Sequence, residues 1–166
     1  MRLAMPSLKN IQLTLALVPV LAGSACAPRM APRLYLPYGH NPVFSDLDKV
    51  LKENPLTDGE TLKAVLLGQT SEVSHHIVQI RGQEPPHRHK EHDLTATLLS
   101  GQGALVVEGE RWAMAKGDTV FVPRGALHYY VNLSSAPSAA FVTFSPPFDG
   151  KDSVPEEPTP PKENNP

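Results

Sequence analysis

Seven histidines stand in this chain of 166 residues, and four of them fall between His87 and His128. The first pair is His87-Arg88-His89, preceded by Gly82 and followed by Gly101. On a β-strand, residues two apart share a face, so both imidazoles can enter one cavity. Pro85-Pro86 straightens the chain just before the pair. A second string, Gly117-x5-Pro123-x-Gly125-x2-His128-x3-Asn132, ends on the third histidine. Gly117-Asp118 supplies a tight turn, and Thr119 to Val122 reads as a buried strand. Pro123-Arg124-Gly125 then turns the chain again, and His128 opens the next strand facing inward. Neutral imidazoles converging in this way suit one divalent transition metal, Fe, Mn, Zn, Ni or Cu. Three histidines, with water or substrate in the open positions, are what a catalytic metal needs.

The remaining polar residues near these strings carry weaker signals. His75 and His76 are neighbours on a strand, so one of them faces inward, as a hydrogen-bonded histidine rather than a ligand. His92, beside Lys90 and Glu91, reads as part of a solvated loop. Tyr130 shares the parity of His128 and Asn132 and so faces the same cavity, by packing or as a proton donor. Trp112 follows the Gly109-Glu110 turn as a strand-packing residue, and Arg124 reads as a solvated charge at a turn. No second pair of titratable groups stands at a readable spacing. No catalytic residue is therefore assigned.

These side chains need a scaffold of short strands. Runs rich in Val, Ile, Leu, Thr and Phe occupy 62–68, 73–81, 94–99, 103–108, 111–115, 119–122, 127–132 and 138–145, separated by Gly or Pro turns. Strands at this spacing predict a sandwich or barrel. A short helix is expected from Ser45 as N-cap to about Glu53, with Asp48 at the third helical position and Pro55 ending it. Fifteen Lys+Arg against 17 Asp+Glu leave a net charge of −2. No basic stripe is available to neutralise a phosphate backbone, which argues against nucleic acid as a partner.

The ends have a different character. Arg2 and Lys9 precede an apolar run from Ile11 to Leu21, then small residues up to Cys26. That is the layout of a secretory signal, and the run is shorter than the ~20 residues needed to span a bilayer. Cys26 is the lone cysteine, so no intramolecular disulfide can form. Its place directly after Gly-Ser-Ala resembles a bacterial lipobox, which implies lipidation of the thiol and membrane contact through that anchor alone. A plain signal peptide cut near Ala25 is the alternative, and would leave the protein soluble in the periplasm or outside the cell. Residues 27–42 hold four prolines and read as a tether, and 151–166 read as a disordered Pro-rich tail.

Together the two histidine strings resemble the paired motifs of the cupin superfamily, over about residues 60–148. The resemblance implies an all-β fold, a double-stranded β-helix or jelly-roll barrel, for a domain at 43–150. It also implies a glutamate ligand after the histidine pair, yet the family spacing lands on Leu94. Asp93 is the nearest carboxylate. Strand alternation groups Leu94, Ala96 and Leu98 on one face and Asp93, Thr95 and Thr97 on the other, so Asp93 reaches the metal only through a bulge. The expected function is metal binding in the cell envelope, as a dioxygenase or isomerase of a small molecule. The alternatives are a non-catalytic metal or ligand module and a metal-free structural cupin. A homodimer through the apolar 61–68 segment is expected, with the short helix covering that edge as the competing solution.

Overall fold

Each of the eight runs becomes a strand in the computed structural model, which describes residues 30–38 and 43–157. In chain order the elements are β1 (Arg33–Leu36), β2 (Val43–Asp46), α1 (Leu47–Glu53), β3 (Leu62–Gln69), β4 (Ser74–Ile80) and β5 (His87–His89). They continue with β6 (Asp93–Ser100), β7 (Gln102–Val107), β8 (Glu110–Ala115) and β9 (Thr119–Val122). The last three are β10 (His128–Asn132), β11 (Ser138–Ser145) and β12 (Ser153–Pro155). Two five-stranded sheets form, ordered β12-β5-β10-β7-β8 and β3-β4-β11-β6-β9, and every pairing is antiparallel. The architecture is the jelly roll. Cys26 and the apolar N-terminal run, on which the signal and lipid-anchor expectation rests, lie outside the described residues.

Alternation along the strands decides which side chains meet inside. Leu94 and Leu98 of β6, Val122 of β9, Val142 and Phe144 of β11, Ile80 of β4, Leu105 of β7 and Tyr130 of β10 are buried. Each aliphatic side chain taken fully from water contributes roughly 1.5–3 kcal/mol before chain entropy is set against it. The outer face of the second sheet is covered too. Leu47 and Val50 of α1, with Leu34 of β1, pack on Ile77 and Ala139, flanked by Val65 and Leu67 of β3. The helix thus lies on a sheet face rather than over the β3 edge, where Leu66 remains exposed.

Three boundaries differ from the sequence expectation. Asp46, not Ser45, caps α1, its Oδ1 accepting from Lys49 N at 2.8 Å. Ser45 is held in β2 opposite Leu34, so the helix starts one residue later. The tether at 27–42 contains β1, whose four residues pair with β2, because burying Leu34 against α1 gives that segment an apolar anchor. Pro32 and Pro37 flank this strand instead of interrupting it, and the Pro32 carbonyl accepts from Leu47 N at 2.9 Å. The expected tail at 151–166 contributes β12, which pairs with β5 and supplies the backbone partners that short strand would otherwise lack on one side. The domain therefore extends past both ends of 43–150.

Gly101 makes the tightest demand on the chain between β6 and β7. Its φ is +87°, and a Cβ there would run into the Ser138 side chain and lie 3.0 Å from Ser138 Cα. Gly82 also has positive φ, +75°, but no atom lies within 4 Å of its would-be Cβ. Gly101→Ala is expected to destabilise the fold by about 2 kcal/mol or more, on the order of 10 °C in Tm. Gly82→Ala incurs only the left-handed strain of about 1 kcal/mol. Thermal unfolding of the two variants side by side checks the order.

Candidate metal centre

Strand pairing brings the two histidine strings together. His128, at the start of β10, stands opposite His87 of β5, and His89 shares the inward face two residues on. All three rings are buried, with centroids 4.9 Å (His87–His89), 4.4 Å (His87–His128) and 5.4 Å (His89–His128) apart. One ring nitrogen from each lies within 4.8 Å of the other two.

The opposite edge of each ring is tied down. Nδ1 of His87 meets the Pro85 carbonyl at 2.9 Å, Nδ1 of His89 the Asp152 carbonyl at 3.1 Å, and Nδ1 of His128 the Ala126 carbonyl at 3.0 Å. A carbonyl oxygen can only accept, so each Nδ1–H donates and each neutral Nε2 is left with a bare lone pair. Nε2 of His87 and Nε2 of His89 face each other at 3.3 Å. Two lone pairs at that distance repel unless a cation or proton lies between them. Burial, and then the His87 ring, push His89 and His128 down to about 4 each, against the raising effect of the carbonyls. Both are neutral imidazoles at pH 7. The donor set, its tautomers and its separation fit one divalent transition metal.

The three rings line a cavity of about 90 Å³ between the sheets. Its walls are mainly aliphatic, from Val78, Ile80, Leu94, Leu98, Val120 and Val142 among others. An outer groove shares Val78, Glu84, His87, His89 and Phe144 with this cavity as lining residues, so two of the three histidines border both. Phe144 and Phe148 stack with centroids 4.6 Å apart and present their edges to His89.

Other expected residues take different places. Asp93 points away from the histidines: it accepts from Arg124 N at 2.8 Å and from Arg124 Nη2 at 2.7 Å. Those bonds hold its carboxyl well below the usual range, at about 2, and Arg124 is a solvated charge at the turn, as expected, that is also paired. Leu94 lines the cavity. His92 is buried, not solvated, with Nδ1 2.7 Å from Asp152 Oδ2 and Nε2 3.2 Å from the Pro147 carbonyl. His76 is buried beside Ser74 Oγ at 2.9 Å, while His75 contacts the Tyr38 hydroxyl and stacks on Phe141. Trp112 is exposed on β8. Tyr130 does line the cavity, and its hydroxyl lies 3.1 Å from Ser138 Oγ, which donates onward to Asn132 Oδ1 at 2.7 Å. The Tyr130 proton is committed to that chain, and burial raises its pKa.

Two residues at the site gave no sequence signal. Glu84 lies in irregular chain before β5, where no strand parity applies. Its N–H donates to the Tyr130 carbonyl at 2.9 Å, its Oε2 accepts from Tyr130 N at 3.1 Å, and its Oε1 lies 4.0 Å from His87 Nε2. Burial pushes its carboxyl up, against the lowering by His87 and the Tyr130 amide. Asp152 sits in the proline-rich tail. Its backbone carbonyl holds His89, while its carboxylate meets His92 and accepts from Lys90 N and Glu91 N at 3.0 and 2.8 Å. Burial alone would raise its pKa, but those bonds outweigh it and the net shift is downward.

With this geometry in view, the similarity to known proteins is informative. Residues 74–144 match the cupin domain family. An uncharacterized protein of Aquifex aeolicus (strain VF5) is 42% identical over 111 residues, spanning 67% of this chain and 90% of the relative. The solved structure of KdgF from Halomonas sp. is 27% identical, covering 59% of this chain and 91% of that one, with a TM-score of 0.53. TT1209 from Thermus thermophilus shares the fold at 24% identity, covering 63% and 97% of the two chains, with a TM-score of 0.54.

Replacing His87 and His89 together by Ala is expected to abolish stoichiometric metal uptake, since one imidazole cannot hold the ion. Asp93→Asn is expected to leave metal affinity within about threefold, because Arg124 rather than the histidines holds that carboxylate. Isothermal titration with Zn²⁺ on the untagged protein measures both.

Proposed function

Because the chain belongs to the cupin superfamily, we propose that it is a metal-dependent enzyme acting on a small molecule, of the dioxygenase or isomerase type. The observation that supports this most is the trio of carbonyl-pinned histidines, all lining the inner cavity, two of which, His87 and His89, also line the outer groove. A divalent metal bound there supplies Lewis-acid or redox chemistry to whatever occupies the cavity. His87, His89 and His128 hold it, and three protein ligands leave positions for substrate. The chain's other residues shape the ligand. Aliphatic walls exclude water and select a largely apolar body, and about 90 Å³ admits only a small one. Phe144 and Phe148 narrow the approach beside His89. Tyr130, already donating to Ser138, stays protonated and acts as wall rather than acid.

In the same proposal the protein is exported and held at the bacterial envelope by a lipid on Cys26. The basic start, the short apolar run and the small residues before that cysteine support it.

Metal analysis of untagged protein tests the function. About one equivalent of a divalent transition metal is expected, together with oxygen uptake or isomerisation on a panel of small carbonyl and hydroxy compounds. Metal at full occupancy with no turnover across the panel would reduce the protein to a binding module. Protein that takes up no metal from Fe²⁺, Mn²⁺, Zn²⁺, Ni²⁺ or Cu²⁺ would overturn the proposal altogether.

A further inference from the structure

A divalent ion held by three neutral imidazoles carries two positive charges into a cavity walled by Val, Leu, Ile and Ala. Buried charge of that kind is better tolerated where a counter-charge meets it. Among the residues lining the inner cavity, one is a carboxylate: Glu84. Its side chain is 13% exposed, and the fold invests in its position. Main-chain and side-chain hydrogen bonds to Tyr130 fix it against β10, the strand that also carries His128. Just upstream, Asn132 N donates to the Gly82 carbonyl at 2.7 Å, so the 82–84 segment runs along β10 like an added strand.

The two oxygens of Glu84 are not equivalent. Oε2 is taken by the Tyr130 amide, and no hydrogen bond reaches Oε1 among the described residues. That free oxygen is the one 4.0 Å from His87 Nε2. Two donors bound to one transition metal at about 2.1 Å each are separated by at most about 4.2 Å, so the spacing is compatible with a shared ion. Oε1 falls outside the group of three histidine nitrogens that lie within 4.8 Å of one another, so it reaches a shared ion only if the carboxyl moves toward them when the ion binds. Asp93, the other nearby carboxylate considered from the sequence, is engaged by Arg124 on the opposite face of its strand.

We propose that Glu84 is the fourth protein ligand of the metal centre, binding through Oε1 from the segment ahead of the histidine pair. The inference rests on the metal-dependent reading given above. It gives the loaded site a net charge of +1 rather than +2, and so a preference for one singly charged anionic group on the ligand.

Co²⁺ titration of the full untagged chain, followed by visible absorption, tests it. Wild-type protein is expected to bind one Co²⁺, and Glu84→Gln to bind at least about tenfold more weakly with an altered visible band. Asp93→Asn serves as the control, with wild-type affinity and spectrum. Should wild type bind Co²⁺ and Glu84→Gln match it in both readouts, Glu84 is not a ligand and the histidine site stands without it. Wild-type protein that takes up no Co²⁺ overturns both together. An infrared difference spectrum of wild-type protein with and without Co²⁺ needs no variant to fold. A shifted carboxylate stretch is expected, and its absence overturns the proposal.

Discussion

Three hydrogen bonds from imidazole Nδ1 to backbone carbonyls set the chemistry of this protein. Each fixes one ring's tautomer and rotation, and together they aim three Nε2 atoms at one point. Two are local: Pro85 and Ala126 lie two residues before the histidines they hold. The third is long-range. The carbonyl on His89 belongs to Asp152, more than sixty residues downstream, so the site is complete only when the C-terminal segment is in place.

Much of the surrounding structure serves that short strand. β5 has three residues and would be a weak element alone. It is paired with β10 on one side and β12 on the other. Arg88, pointing away from its histidine neighbours, clamps the strand from outside: its Nε donates to Glu156 at 2.8 Å and its Nη1 to Glu108 at 2.6 Å. Exposed ion pairs of this kind contribute little singly, but this one ties β12, β5 and the β7–β8 turn to a common point. Asp152 does the same from the other side, organising His92 and the amides of Lys90 and Glu91. The histidines are thus positioned from both faces of the sheet.

The sequence was legible where periodicity governs. Alternation in 94–99 places Leu94, Ala96 and Leu98 toward the cavity and turns Asp93 outward, because one face of that strand is buried and a slip of one residue would expose all three. The Gly and Pro turns located the eight long strands for the same reason. What could not be read were residues whose role depends on distant partners. Glu84 sits in non-periodic chain and acquires meaning only when β10 runs beside it. β12 and Asp152 lie in a segment whose composition resembles disorder, and three residues pair there because β5 offers an open edge. His92 looks solvated beside Lys90 and Glu91 until Asp152 arrives to bury it. The cap of α1 shifted by one residue because the β1–β2 hairpin claims Ser45.

The central claim is that the protein itself, before any metal arrives, holds its imidazole protons on Nδ1 and aims three Nε2 atoms at one point. Nitrogen-15 NMR of the metal-free protein at neutral pH measures this directly, since the chemical shifts of protonated and unprotonated ring nitrogens differ widely. The account requires Nδ1 of His87, His89 and His128 all to carry a proton, with Nε2 bare in at least two of the three. Protons on Nε2 in two or more of the three would contradict it, because the rings would then offer donors where a metal needs lone pairs.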